Sequence, residues 1–139
     1  MIAAQLRYDE IKVGAVYEFE RVITREDVLE FAELSGDNNP LHIDPDFGAQ
    51  SQFKKNIVHG MFVGSLFSAL VGMHCPGRQA LYMSQTLQFR KPIFYGDNVI
   101  VRGTVVEKSD SIKIVTLKTE ILRNGEVMLS GEAKVKVTY

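Results

Sequence analysis

Cysteine is almost absent: Cys75 is the single one in 139 residues. It has no mate for an internal disulfide and no second thiol for a metal cluster, so a reduced, cytoplasmic compartment is expected. Excess charge is absent too, since 16 basic and 17 acidic residues leave −1. A nucleic-acid binder would carry a basic surplus or stripe, so no nucleic-acid partner is expected. Residues 1–7 show no basic run leading into a long apolar stretch, and no signal peptide is read there. The most apolar segment, 57–75, is broken by His59, Gly60, Gly64, Ser65, Ser68, Gly72 and His74. It is short and polar for a membrane span and fits a buried helix. Glycine-rich phosphate loops of the dinucleotide or Walker type are missing. So are linkers, low-complexity tracts and repeats, which leaves one domain over 1–139.

What is present changes character near residue 78. Before it the signals are mostly helical. A β-prone run at 16–23 comes first. Thr24 then has the chemistry of an N-cap, with Glu26 and Asp27 in the first turn. Val28, Leu29, Phe31, Ala32 and Leu34 form an apolar helical face, and Gly36 suits the C-cap. Pro40 excludes regular helix over 37–41. Asp44-Pro45 restarts a short helix. A longer helix over 60–73 is apolar almost all round and should be wrapped by protein on nearly every side. After residue 78 come strands at 80–89, 99–107, 112–122 and 127–138. Asn124-Gly125 is a strong hairpin signal between the last two. One enclosed helix and one antiparallel sheet make an α+β layer fold.

Two places could do chemistry. Asp37 and His42 lie in an irregular loop stiffened by Gly36, Asn38, Asn39 and Pro40. A carboxylate and an imidazole can take a proton from water and return one without a metal. Asp and Asn also populate turns because they bond their own backbone, so residue types alone leave both readings open. The second place is the start of the buried helix, where the first amides lack intrahelical partners. Gly60 there would allow an oxyanion to approach, or is simply a packing residue. His59 reads as structural, orienting the helix start. Ser68 could bond a substrate or its own helix backbone. His74 and Cys75 are adjacent but too few for zinc, so no metal site is expected. Cys75, with no evident base, reads as inert.

The run from Phe31 to Pro45, FAELSGDNNPLHIDP, resembles the signature of MaoC-like dehydratases, which include the R-specific enoyl-CoA hydratases of polyhydroxyalkanoate synthesis. The resemblance continues in order through IVHGM at 57–61, LFS at 66–68, QTLQF at 85–89, KPIF at 91–94, GD at 96–97 and GEA at 131–133. It implies a hot-dog fold, a long central helix wrapped by a curved antiparallel β-sheet. It implies a homodimer with an acyl-thioester tunnel near the subunit interface. By position it makes Asp37 and His42 the catalytic dyad and gives the Gly60 amide to the thioester oxygen. It puts Ser68 in the pocket and lets Asn39 hold the loop.

The implied reaction is reversible hydration of a trans-2-enoyl-CoA to the (R)-3-hydroxyacyl-CoA. No cofactor is expected, since coenzyme A belongs to the substrate, and no membrane partner. Two other readings compete. A hot-dog thioesterase usually keeps its acid on the central helix, but 60–73 contains no Asp or Glu. A non-catalytic acyl-binding subunit of a dehydratase heteromer would lack the Asp–His pair.

Overall fold

The strand signals after residue 78 become one antiparallel sheet in a computed structural model that describes residues 1–138. In chain order the elements are β1 (Val16–Val22), α1 (Arg25–Ser35), α2 (Pro40–Ile43), α3 (Pro45–Gln50), α4 (Gly60–Ala69), β2 (Ala80–Gln85), β3 (Gln88–Phe89), β4 (Asn98–Ser109), β5 (Ile114–Arg123) and β6 (Glu126–Val137). The sheet order is β1-β4-β5-β6-β2, and β3 also pairs with β6. Strand β4 alternates buried and partly exposed residues, as a sheet with one covered face must. Its Val99, Val101 and Val105 point inward with Leu117, Ile121 and Leu129 of the neighbouring strands. Helix α4 covers that face with Val63, Leu66 and Phe67, followed by Leu70. Full burial of a side chain such as Phe67 or Leu70 is worth about 1.5–3 kcal/mol. Gly103 is where Leu70 meets the sheet: a Cβ there would lie 2.8 Å from Leu70 Cδ2.

The local signals explain the ends of α1. Thr24 Oγ1 accepts from the Asp27 amide at 3.1 Å, and the Asp27 carboxylate accepts from the Thr24 amide at 2.9 Å. Gly36 closes the helix in the left-handed region at φ 81. Asn124 and Gly125 both have positive φ, as their hairpin requires.

Four expectations change. Pro40 does not merely interrupt; it occupies the first turn of the one-turn helix α2, where its missing N–H costs nothing. The run at 80–89 is not one strand. It breaks at Thr86-Leu87, where the Thr86 carbonyl crosses over Gly131 so closely that a Cβ there would lie 1.8 Å from the oxygen. The central helix does not stay α-helical: it widens into a π-turn over Leu70–His74, with the Cys75 amide bonded back to Leu70 O. Pro76, which has no N–H, follows and ends it. Nor does a single chain wrap the helix nearly all round. Met61, Ser65 and Ser68 form an exposed stripe at i, i+4 and i+7. The N-terminal segment, to which the sequence assigned nothing, straps the far end of this helix: Ala4 N–H donates to Met73 O and Leu6 N–H to Pro76 O.

Gly131→Ala should be among the costliest small substitutions here, because backbone and not a flexible side chain fills the space. We expect a loss of about 1–3 kcal/mol, read as a lower urea midpoint at unchanged slope.

Candidate active site

The loop between α1 and α2 brings the sequence-predicted pair together through its own backbone chemistry. The Asp37 amide donates to Ser35 Oγ at 3.1 Å, and Asp37 Oδ1 accepts from the Asn39 amide at 3.2 Å. Asn39 Oδ1 accepts from the Leu41 amide at 3.0 Å and so caps α2, the helix that carries His42. The turn bonding of Asp37 and its nearness to His42 are compatible. One carboxylate oxygen makes the turn; the other lies 4.0 Å from His42 Nε2.

His42 is held from behind. Its Nδ1 lies 2.8 Å from the Ile57 carbonyl. A carbonyl can only accept, so Nδ1 carries the proton and Nε2 presents a lone pair towards Asp37. The His42 carbonyl in turn accepts from the Tyr95 hydroxyl. Buried Asn56 completes the frame, its Nδ2 donating to the carbonyls of Pro40, Leu41 and Asp44 at 3.3, 2.9 and 2.8 Å.

His59 adds a second imidazole. It is 2% exposed, stacks on His42 with ring centroids 3.9 Å apart, and its Nε2 donates to the Asp37 main-chain oxygen at 2.9 Å. Burial is the main influence lowering its pKa from the ordinary 6.5, and neighbouring His42 acts in the same direction. Asp37, His42 and His59 each bring a potential metal donor within 4.8 Å of the others. His59 Nε2, however, keeps its proton for the Asp37 carbonyl, and a protonated nitrogen does not ligate. The set is better suited to proton transfer.

These groups open on a cavity of about 530 Å³ lined by Asp37, His42, His59, Gly60 and apolar residues including Val63, Ile93 and Met128. Gly60 is the first residue of α4, whose N-cap residue His59 makes no side-chain capping bond, and Gly60 and Met61 both line the cavity. The ring of Phe89 lies against Gly60, so close that a Cβ there would sit 2.7 Å from it. Ser68 is elsewhere: it is exposed on α4 and does not line this cavity. His74 stacks on Phe19 at 4.9 Å. Cys75 is fully buried, and burial pushes its thiol up to about 12, which leaves it unreactive.

Residues 10–126 match the family described as MaoC like domain. The chain belongs to that family. An (R)-specific enoyl-CoA hydratase of Aeromonas caviae is 40% identical over 128 residues, spanning 91% of this chain and 96% of that one. Its solved structure, described as an (R)-hydratase involved in PHA biosynthesis, superposes with a TM-score of 0.89. A 3-hydroxybutyryl-CoA dehydratase of Methylorubrum extorquens is 39% identical over 95% of this chain and 84% of its own length. The unliganded R-hydratase PhaJ1 of Pseudomonas aeruginosa superposes with a TM-score of 0.93 at 35% identity, covering 97% of this chain and 87% of that one. The MaoC-like chain is thus a hot-dog fold, a central helix laid on an antiparallel sheet, and the sheet is not closed.

The sequence did not single out Asn56, Tyr95 or Phe89 in this MaoC-like site. Asn56 is the third of three successive polar residues, after Lys54 and Lys55, so nothing local marks it as buried. Phe89 appeared only as the last residue of the 85–89 block, without a role, and Tyr95 left no trace, since an aromatic in a strand-rich region looks like any core residue.

Asn56→Ala removes the side-chain donor shared by three carbonyls, each of which keeps one main-chain N–H. A loss of about 0.5–1.5 kcal/mol is expected in urea unfolding. A second expectation concerns pH. Below about 6.5 the unfolded chain binds a proton at His59 that the folded chain refuses, so this stability is present above 6.5 and lost as pH falls. Unfolding free energy should drop more between about pH 7.5 and 5.5 in the parent than in His59→Gln; equal drops would exclude the effect.

Proposed function

We propose that this protein catalyses the reversible hydration of a trans-2-enoyl-CoA to the (R)-3-hydroxyacyl-CoA. The observation that supports it most directly is the placement of two proton acceptors, Asp37 Oδ2 and His42 Nε2, 4.0 Å apart at an apolar cavity. One water can donate to both, because each bond needs only about 2.8 Å. As its oxygen bonds to C3, the pair takes one proton, and electrons shift from the C2–C3 double bond towards the thioester oxygen. The amide of Gly60 faces that growing charge. The pair then returns a proton to C2, so it ends each cycle in its starting state. The two groups act as one acid–base unit. The apolar wall of Val63, Ile93 and Met128 receives the acyl chain, while Arg90 and Lys91 at the mouth meet the coenzyme A phosphates. Names of the relatives supply the R stereochemistry.

The exposed stripe of Met61, Ser65 and Ser68 favours a homodimer, with a second copy covering α4 and the adjoining mouth. This gives Ser68 a place at the subunit surface rather than beside the dyad. Among the described residues no helix is long and apolar enough to cross a membrane. The cytoplasm is the proposed compartment, on the single buried thiol.

The test is loss of the conjugated enoyl absorbance with chiral analysis of the product. Asp37→Asn and His42→Ala should each lower turnover by about 10²-fold or more. Near-normal turnover in either variant would sink the mechanism. Release of free thiol without hydration would instead favour a thioesterase.

A further inference from the structure

The site contains a second histidine that the proposed reaction does not use. His59 is the N-cap of α4 yet makes no side-chain capping bond. Its ring faces inward instead, against Phe31 at 4.9 Å and His42 at 3.9 Å. The titratable groups packed against it are Asp37 and His42. Its Nδ1 is buried and has no hydrogen-bond partner among the described residues. An unpaired buried polar atom is costly, and a phenylalanine or leucine of similar volume would avoid that cost. Something must favour an imidazole here, and the other face of the ring supplies it.

The Nε2–H of His59 holds the main chain of Asp37 from the buried side, while the loop's own bonds to Ser35 Oγ and from the Asn39 amide are exposed. The flat ring at the same time forms a shelf under His42, which fixes the plane in which Nε2 of His42 meets Asp37. Both members of the acid–base pair are thus tied to one buried side chain, on two independent contacts. The geometry points to His59 as a positioning residue that stays uncharged and sets the Asp37–His42 separation through its Nε2–H and its ring face. A charged ring at this place would repel the imidazolium that His42 becomes when it accepts a proton from water, so a neutral second imidazole suits the cycle where a lysine or arginine would not.

The kinetic half of this inference rests on the hydratase reading. It predicts an order among variants that depends on where a donor sits. Gln places its amide nitrogen near the position of Nε2, Asn places it near that of Nδ1, and Phe keeps the flat surface with no donor. The measurement is kcat and KM for a short trans-2-enoyl-CoA in the parent, His59→Gln, His59→Asn and His59→Phe, well below each protein's thermal midpoint. His59→Asn and His59→Phe should lose about 10²-fold in kcat with KM nearly unchanged, because misplacement by about 1 Å costs that much. His59→Gln should recover to within about tenfold of the parent. If His59→Phe does not fold, the Gln and Asn pair decides. Asn turning over as fast as the parent, Gln no better than Asn, or a loss confined to KM would overturn the inference.

A readout without substrate separates this from the function itself. Crystal structures of the unliganded proteins should keep the Asp37 Oδ2 to His42 Nε2 distance near 4.0 Å in the parent and in His59→Gln and change it by about 1 Å in His59→Asn. A parent that hydrates nothing but shows this pattern removes the hydratase reading and leaves the positioning role standing. An unchanged separation in all these proteins overturns the positioning role.

Discussion

The short segment from Asn56 to His59 laces three parts of the molecule together, and the site exists because of it. Asn56 gathers the carbonyls around α2, the Ile57 amide donates to Leu41 O, and the Ile57 carbonyl receives the proton on His42 Nδ1. On the opposite edge the Val58 amide donates to Ile93 O, which ties the segment to the stretch leading into β4. His59 then turns inward and opens α4. Four consecutive residues thus fix the helix that carries the imidazole, the tautomer of that imidazole and the start of the central helix. Buried backbone groups must find partners, and here several find them in the frame around Asp37 and His42 rather than in regular structure.

Residue chemistry made much of this visible in the chain. The cap at Thr24, the glycine at 36 and the Asn124-Gly125 turn act through local bonds, so they declare themselves at short range. The pair Asp37 and His42 was visible as chemistry, and the ordered blocks around it gave the fold. What stayed hidden depends on contacts far apart in sequence. The break at Thr86-Leu87 exists because Gly131, 45 residues away from Thr86 by number, lets a carbonyl through. The shelf formed by His59 appears only when α4 docks beside α2. Hydropathy overstated the enclosure of α4 for a related reason. Met61 counts as apolar, and Ser65 and Ser68 fit any small-residue interface, so the pattern cannot say which side faces the sheet and which is left open.

The packing of α4 also explains why the cavity sits where it does. Val63 and Phe67 are committed to the core, while Gly60 and Gly64 let Phe89 and Leu87 approach the helix closely. The segment that carries both side chains is the one displaced by the strand break, so the irregularity in the sheet and the mouth of the cavity are one feature seen from two sides.

The partner behind His42 has a consequence for charge. A backbone carbonyl orients the ring with a dipole, whereas a carboxylate in that place would fix the imidazolium with a full opposite charge. In the proposed hydration the imidazole therefore meets no anion at Nδ1, and its orientation there does not depend on a second carboxylate.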